Sequence, residues 1–285
     1  MDAPYRASWL AKLDRRERLA SAPTVALADD FDGFLIDLDG VVWIGNELVP
    51  GARDALRGLI EAGKEVVFVT NNPGRSPATY QSRLRDRDIP VADDHVVTAG
   101  VVTARLAAEK AGTGGKAFVA GAPGLKAAAT AAGLELLEGE AGREADVVLV
   151  SGHAEFDYEE LLTATLALRR GAALFATSRD PNLPMPDGLW PGTGAILAAV
   201  ETASGARAEI GGKPERHLFD AARELTGGAE RVAMVGDRLA SDIVGGHDAG
   251  LATIFALSGA DSLEDAADAD PAPDFVIEDL TGLLE

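Results

Sequence analysis

The chain has 285 residues, 47% hydrophobic and 25% charged, enough for one large domain or two smaller ones and far from a disordered or fibrous composition. It carries 46 acidic against 26 basic side chains, a net charge of −20, so nucleic acid and anionic lipid are poor partners. It has no cysteine, which excludes disulfides, thiol nucleophiles and cysteine zinc sites.

The first stretch, MDAPYRASWLAKLDRRERLA, lacks the apolar h-region of a secretory signal. It reads as a short amphipathic helix with Trp9, Leu10, Leu13 and Leu19 on one side. No apolar run reaches the roughly 20 residues that span a bilayer. Cytoplasmic residence is the expectation.

From residue 31 onward the sequence repeats one rhythm: a short apolar run, a turn, an amphipathic helix. FLIDLDG, EVVFVTNN, KAFVAGAPG, ADVVLVSGH, AALFATS, RVAMVGDR and ATIFALS read as strands. ARDALRGLIEAG, YEELLTATLALRRG and PERHLFDAARELTGG read as helices, and DFVIEDL as a last strand. Continuous apolar strands alternating with helices predict an α/β fold, a parallel sheet covered on both faces. Such sheets bind ligands beyond the carboxyl ends of their strands.

Polar residues stand at several of those ends. Asp37 and Asp39 close the first run, and Thr70, Asn71 and Asn72 close the second. Lys213 precedes a predicted helix, and Asp237 follows the apolar run at Val235–Gly236. Asp39 and Thr70 are about 30 residues apart, room for one crossover helix. Lys213 lies 143 positions beyond Thr70, and the interval holds strands and helices of its own. The expected organisation is a core in two pieces, 1–102 and 189–285, with a second domain inserted at 103–188. The proline-rich DPNLPMPDGLWPG is expected to lead the chain back to the core.

The chemistry follows from the residue types. A lone aspartate at an apolar strand end is costly to bury unless it is paired or liganded. With Asp37, Asp39 and Asp237 together, and Asp242 following in GDRLASD, a hard, oxygen-preferring cation such as Mg²⁺ is expected. For Asp242 alone, helix capping is an equal reading. Thr70, Asn71 and Asn72 offer a hydroxyl, amides and backbone N–H groups at a strand-to-helix turn, a setting that binds phosphate. Lys213 adds a point charge. The P-loop, dinucleotide, nucleophile-elbow and H-E-x-x-H patterns are all absent.

Four ordered segments carry a resemblance: D-x-D-G-V at Asp37–Val41, T-N-N at Thr70–Asn72, G-K-P at Gly212–Pro214 and G-D-R-x-x-S-D at Gly236–Asp242. They are similar, in order and spacing, to the motifs of the haloacid dehalogenase superfamily. RDPNLPMPDG and PGTGAILAAVETASG resemble its NagD-like branch, which includes 4-nitrophenyl, phosphoglycolate and pyridoxal phosphate phosphatases. The resemblance implies a Rossmann-like core with an inserted C2-type cap. It also implies Mg²⁺-dependent hydrolysis of small phosphorylated metabolites through an aspartyl-phosphate.

In that scheme Asp37 is the nucleophile and Asp39 the general acid and base. The metal is held by the Asp37 carboxylate, the Asp39 carbonyl and Asp237, with Asp242 behind them. Thr70, Asn71 with Asn72, and Lys213 hold the phosphoryl group. Where the branch reads V-G-x-D, this chain reads Ser151–Gly152–His153–Ala154, which leaves His153 to face a leaving group or to stand as a solvated loop residue. Arg179 and Asp180 either shape the entrance or form a structural ion pair. A homodimer joined through the cap is the assembly the resemblance suggests. A phosphotransferase or mutase, or a non-catalytic metabolite-binding protein, is the alternative on the same scaffold.

Overall fold

The computed structural model describes residues 26–185 and 188–285. The expected N-terminal helix at Trp9–Leu19 lies outside the described residues. Strand β1 (Gly33–Asp37) leads to a hairpin, β2 (Trp43–Ile44) and β3 (Glu47–Leu48). Helix α1 (Ala52–Glu61), β4 (Glu65–Thr70), α2 (Pro77–Arg85) and β5 (Val96–Thr98) follow. Next come α3 (Ala99–Ala111), β6 (Lys116–Ala120), α4 (Pro123–Ala131), β7 (Glu135–Leu136), β8 (Val147–Val150), α5 (Tyr158–Arg169) and β9 (Ala173–Ala176). Hairpin β10 (Asn182–Met185) and β11 (Gly188–Pro191), α6 (Thr193–Ser204) and β12 (Glu209–Ile210) complete that stretch. The chain ends with α7 (Arg216–Glu224), β13 (Val232–Gly236), α8 (Val244–Asp248), β14 (Ala252–Ala256), α9 (Leu263–Asp268) and β15 (Phe275–Ile277).

Contacts divide the chain into two compact units. One holds the described residues up to Phe68 with Leu84–His95 and Ala222–Glu285; the other holds Val69–Arg83 and Val96–Ala221. The main sheet has six strands in the order β15-β14-β13-β1-β4-β5. In the first unit β1 pairs in parallel with β13, and β13 with β14, with Ile36 opposite Val235. β1 is buried along its whole length, GFLID, which is why it reads as an unbroken apolar run rather than an alternating one. Phe31 packs edge-on against Phe34 and Phe275, with ring centroids 5.8 and 6.1 Å apart. Helix α1 buries Ala52, Ala55, Leu56 and Leu59, one face at helical spacing. The strand order changes direction on either side of β1, which makes the carboxyl ends of β1 and β13 the expected place for a ligand.

The second unit is built on a five-stranded sheet, β12-β9-β8-β6-β7, with every neighbouring pair parallel. Alternate residues feed its two faces. Val148 and Val150 join Phe118, Leu174, Ile196 and Val200 on one side. Val147 and Leu149 join Val119, Leu125 and Phe175 on the other. This sheet continues past residue 188. The proline-rich segment forms the β10–β11 ribbon, and α6 and β12 still build on the second unit. The cause is apolar burial: Ile196, Leu197 and Val200 of α6 are needed to close the core over β8. Among the described residues no helix is long and apolar enough to cross a membrane.

Candidate active site

The site begins with register. Asp37 is the last residue of β1, and the neighbouring strand β13 ends at Gly236, so Asp37 and Asp237 emerge side by side. A π-helical turn, Leu239–Ile243, then brings Asp242 back to them. One carboxylate oxygen from each of Asp37, Asp237 and Asp242 lies within 4.8 Å of the others. The three residues are 5%, 2% and 0% exposed. At such a separation each pair of charges repels by on the order of 3 kcal/mol even at an effective dielectric of about 20. A buried group of this kind could hold a cation.

The donor set fits Mg²⁺. Every donor is a carboxylate oxygen, few in number, and this ion completes its shell with water and phosphate oxygens. The neighbours also orient the carboxylates. The Ala260 N–H donates to Asp237 Oδ2 at 2.7 Å, and the Arg238 N–H to Asp242 Oδ2 at 3.0 Å. The Ser258 hydroxyl donates to the Gly40 carbonyl at 2.7 Å, which ties the loop after β14 to the loop after β1. Gly40, with φ at +96°, and Gly259 both press on Asp237, and neither has room for a β-carbon.

Asp39 is outside this carboxylate group; its expected part in metal binding is its backbone carbonyl. Its side chain accepts a hydrogen bond from the indole N–H of Trp43, Nε1 to Oδ1, at 3.0 Å.

The second unit holds the other sequence-predicted residues. Thr70 ends β4, 1% exposed, and its hydroxyl oxygen accepts the Asn72 N–H at 3.0 Å. The Asn72 amide oxygen accepts the Gly74 N–H at 3.0 Å, and the Tyr80 hydroxyl donates to the Asn72 carbonyl at 3.2 Å. The Asn71 side chain accepts the Lys213 N–H at 2.8 Å and donates to the Lys213 carbonyl and to Asp180 Oδ2, each at 3.0 Å. Lys213 is 2% exposed. Thus Asn71, Asp180 and Lys213 meet although up to 142 positions separate them in sequence.

Arg179 forms an ion pair, with Glu201. Its two terminal nitrogens grip Glu201 at 3.1 and 3.0 Å, and Arg207 reaches the same carboxylate at 3.1 Å. The Arg179 hydrogen bonds hold the Glu201 carboxyl down at about 2. His153 is not the solvated loop residue of the second alternative. Its imidazole is 6% exposed, with Nε2 3.0 Å from Glu160 and Nδ1 3.6 Å from Glu155, and its ring stands edge-on to Phe156. Burial pushes the Glu160 carboxyl up, against the pull of the His153 charge. His153 is therefore not a solvated loop residue; its imidazole lies beside two carboxylates and a phenyl ring.

Residues 34–135 match the haloacid dehalogenase-like hydrolase family, and residues 210–283 match a second model of HAD-hydrolase-like chains. Chronophin from Mus musculus is 37% identical over 95% of this chain and 98% of its own length. The chain belongs to the haloacid dehalogenase-like hydrolases. Among solved structures, glycerol phosphate phosphatase from Mycobacterium tuberculosis in complex with magnesium superposes with a TM-score of 0.84 at 32% identity, over 91% of this chain and 78% of that one. The 4-nitrophenylphosphatase from Thermotoga maritima gives 0.82 at 35% identity, over 90% and 98%. The hydrolase thus sits among phosphatases with a Rossmann-like core and a cap domain.

Sequence reasoning missed the residues that support the hydrolase's site. Gly259, Ala260, Ser258 and Trp43 carry no chemistry of their own. Only Trp43 left a signal, a large aromatic two positions after the D-x-D-G-V segment where a tight turn leads one to expect small residues.

Proposed function

We propose that this hydrolase is a Mg²⁺-dependent phosphatase of small organic phosphate monoesters, working through an aspartyl-phosphate on Asp37. The observation that carries the reading is the convergence of Asp37, Asp237 and Asp242, three buried carboxylates from opposite ends of the chain. Bound Mg²⁺ would be held by Asp37, Asp237 and the Asp39 carbonyl, with Asp242 behind, and would let a carboxylate approach an anionic phosphate.

In the first half-reaction a carboxylate oxygen of Asp37 bonds to phosphorus as the ester P–O bond breaks, and Asp39 gives its proton to the departing alkoxide. In the second, Asp39 takes a proton from water as the water oxygen bonds to phosphorus and the Asp37–phosphorus bond breaks. The Thr70 hydroxyl, the Asn71 N–H group and the Lys213 ammonium hold phosphoryl oxygens as charge develops on them, while Asn72 shapes the turn through its N–H to the Thr70 oxygen. The Asn71 side chain, committed to Lys213 and Asp180, is a positioning group in this scheme. Arg179 shapes the Asp180 segment through Glu201.

The second unit, with the insertion at 103–188 as its centre, acts as the cap that gates access. A homodimer through that cap and residence in the cytoplasm complete the proposal. The two solved neighbours named above are a glycerol phosphate phosphatase and a 4-nitrophenylphosphatase, so the phosphotransferase, mutase and binding-protein alternatives are not favoured.

A phosphate-release screen with Mg²⁺ over glycerol phosphate, phosphoglycolate and 4-nitrophenyl phosphate tests the reading. Mg²⁺-dependent turnover that disappears in Asp37→Asn is expected. Full turnover by that variant, or tight ester binding with no phosphate released from any of the three, would contradict it.

A further inference from the structure

The contact between Trp43 and Asp39 lies entirely within the first unit and has no part in the scheme above. Trp43 is fully buried, at 0% exposure, while Asp39 is half-buried. The backbone between them closes tightly. The Val42 and Trp43 N–H groups both donate to the Leu38 carbonyl, at 2.9 and 3.1 Å, and the Gly40 N–H donates to the Trp43 carbonyl at 2.7 Å. Trp43 then pairs with Leu48 across the β2–β3 hairpin, and the Val49 N–H to the Val42 carbonyl, at 3.0 Å, closes its base. The indole is therefore fixed by backbone on two sides and by burial. Its N–H meets Oδ1 of Asp39 at 3.0 Å.

An indole nitrogen donates and never accepts. A buried indole also wants its one donor satisfied, so the contact is stable in both partners' interest. We infer that Trp43 is the positioning residue for Asp39: its fixed indole N–H holds Oδ1 and so helps to aim the acid–base carboxylate that gives a proton to the ester oxygen and later takes one from water. The inference rests on the assignment of Asp39 as acid and base. Losing this hydrogen bond loosens the aim of the carboxylate at the ester oxygen, and general acid catalysis is steeply sensitive to such aim.

The consequence is selective. A leaving group that departs readily as an anion, nitrophenolate, has little use for a proton; an alkoxide cannot leave without one. Disturbing Asp39 must therefore hurt alkyl esters far more than nitrophenyl esters in the step that forms the aspartyl-phosphate. A residue that merely fills the core would affect both alike.

The experiment is single-turnover kinetics of the full chain with Mg²⁺, comparing glycerol phosphate and 4-nitrophenyl phosphate in wild type and Trp43→Phe. Phenylalanine keeps an aromatic ring and removes the N–H. The ratio of the rate for the nitrophenyl ester to that for the alkyl ester is expected to rise about 10-fold or more, with KM for the alkyl ester little changed. If Trp43→Phe does not fold, benzothienylalanine placed at position 43 keeps the indole shape without the N–H and is expected to give the same shift. An unchanged ratio, whether both rates fall together or neither falls, would overturn the inference. Absence of turnover of both esters by the wild type would overturn the phosphatase reading itself, a different outcome.

Discussion

Gly259 lies flat against the carboxylate of Asp237, with no space for a β-carbon between them. The next residue, Ala260, gives its N–H to the same carboxylate at 2.7 Å. The loop after β14 thus sets where one metal-facing oxygen points. Gly259→Ala is expected to displace Asp237 and to raise the Mg²⁺ concentration needed for half-maximal activity about 10- to 100-fold. Metal titration of activity, with calorimetric binding as a check, measures this. A variant with wild-type metal dependence would show that the close approach does not matter.

Asn71 should matter more for order than for binding. Its side-chain oxygen must face the Lys213 N–H, which leaves its nitrogen for the Lys213 carbonyl and Asp180. Asn71→Ala strands those three groups in a half-buried site, at a cost of about 1–3 kcal/mol. We expect a lower unfolding midpoint together with a fall of about 10-fold or more in kcat/KM as Lys213 loses its seat. Normal stability with normal kinetics would contradict the clamp.

The sequence was most legible where burial is strictest. β1 and β13 read as strands because they are buried on both faces, and their terminal aspartates stood out against that apolar background. A parallel sheet gathers the carboxyl ends of its strands at one edge, so Asp37 and Asp237 could be expected to meet; the pairing of β1 with β13 makes them neighbours. What stayed hidden depended on shape. Nothing in Ser151–Gly152–His153 announces that the imidazole turns into a pair of glutamates, because Glu160 lies on the helix α5 and meets it only once the chain has folded. The proline-rich segment looked like a return to the core, yet it is a ribbon with Leu189 and Trp190 exposed, followed by a helix that the second sheet needs. The supporting glycines were unreadable for the same reason: their role is the absence of an atom.

Glu201 gives the second unit an acid-sensitive joint. Hydrogen bonds from Arg179 hold its carboxyl at about 2, below the ordinary 4.5. A value depressed by folding stabilises the folded state above the unfolded value. That contribution is lost as pH falls from about 4.5 towards 2. With Arg179 47% exposed and Arg207 84% exposed, solvent screening limits it to on the order of 2 kcal/mol. Denaturant unfolding at neutral pH and at about pH 3 should show Glu201→Gln losing much of the difference between the two conditions. An identical pH dependence in wild type and variant would remove Glu201 from the account.

Asp37 as the attacking group is the claim on which the remaining chemistry rests, and a covalent adduct is its most direct signature. Acid quench of the Mg²⁺-loaded protein during turnover of 4-nitrophenyl phosphate, followed by peptide mass spectrometry, is the decisive measurement. One phosphoryl group on the peptide carrying Asp37, lost on treatment with hydroxylamine and absent from Asp37→Asn, is the predicted result. Steady phosphate release with no adduct at any quench time, or with the adduct on another residue, would contradict it.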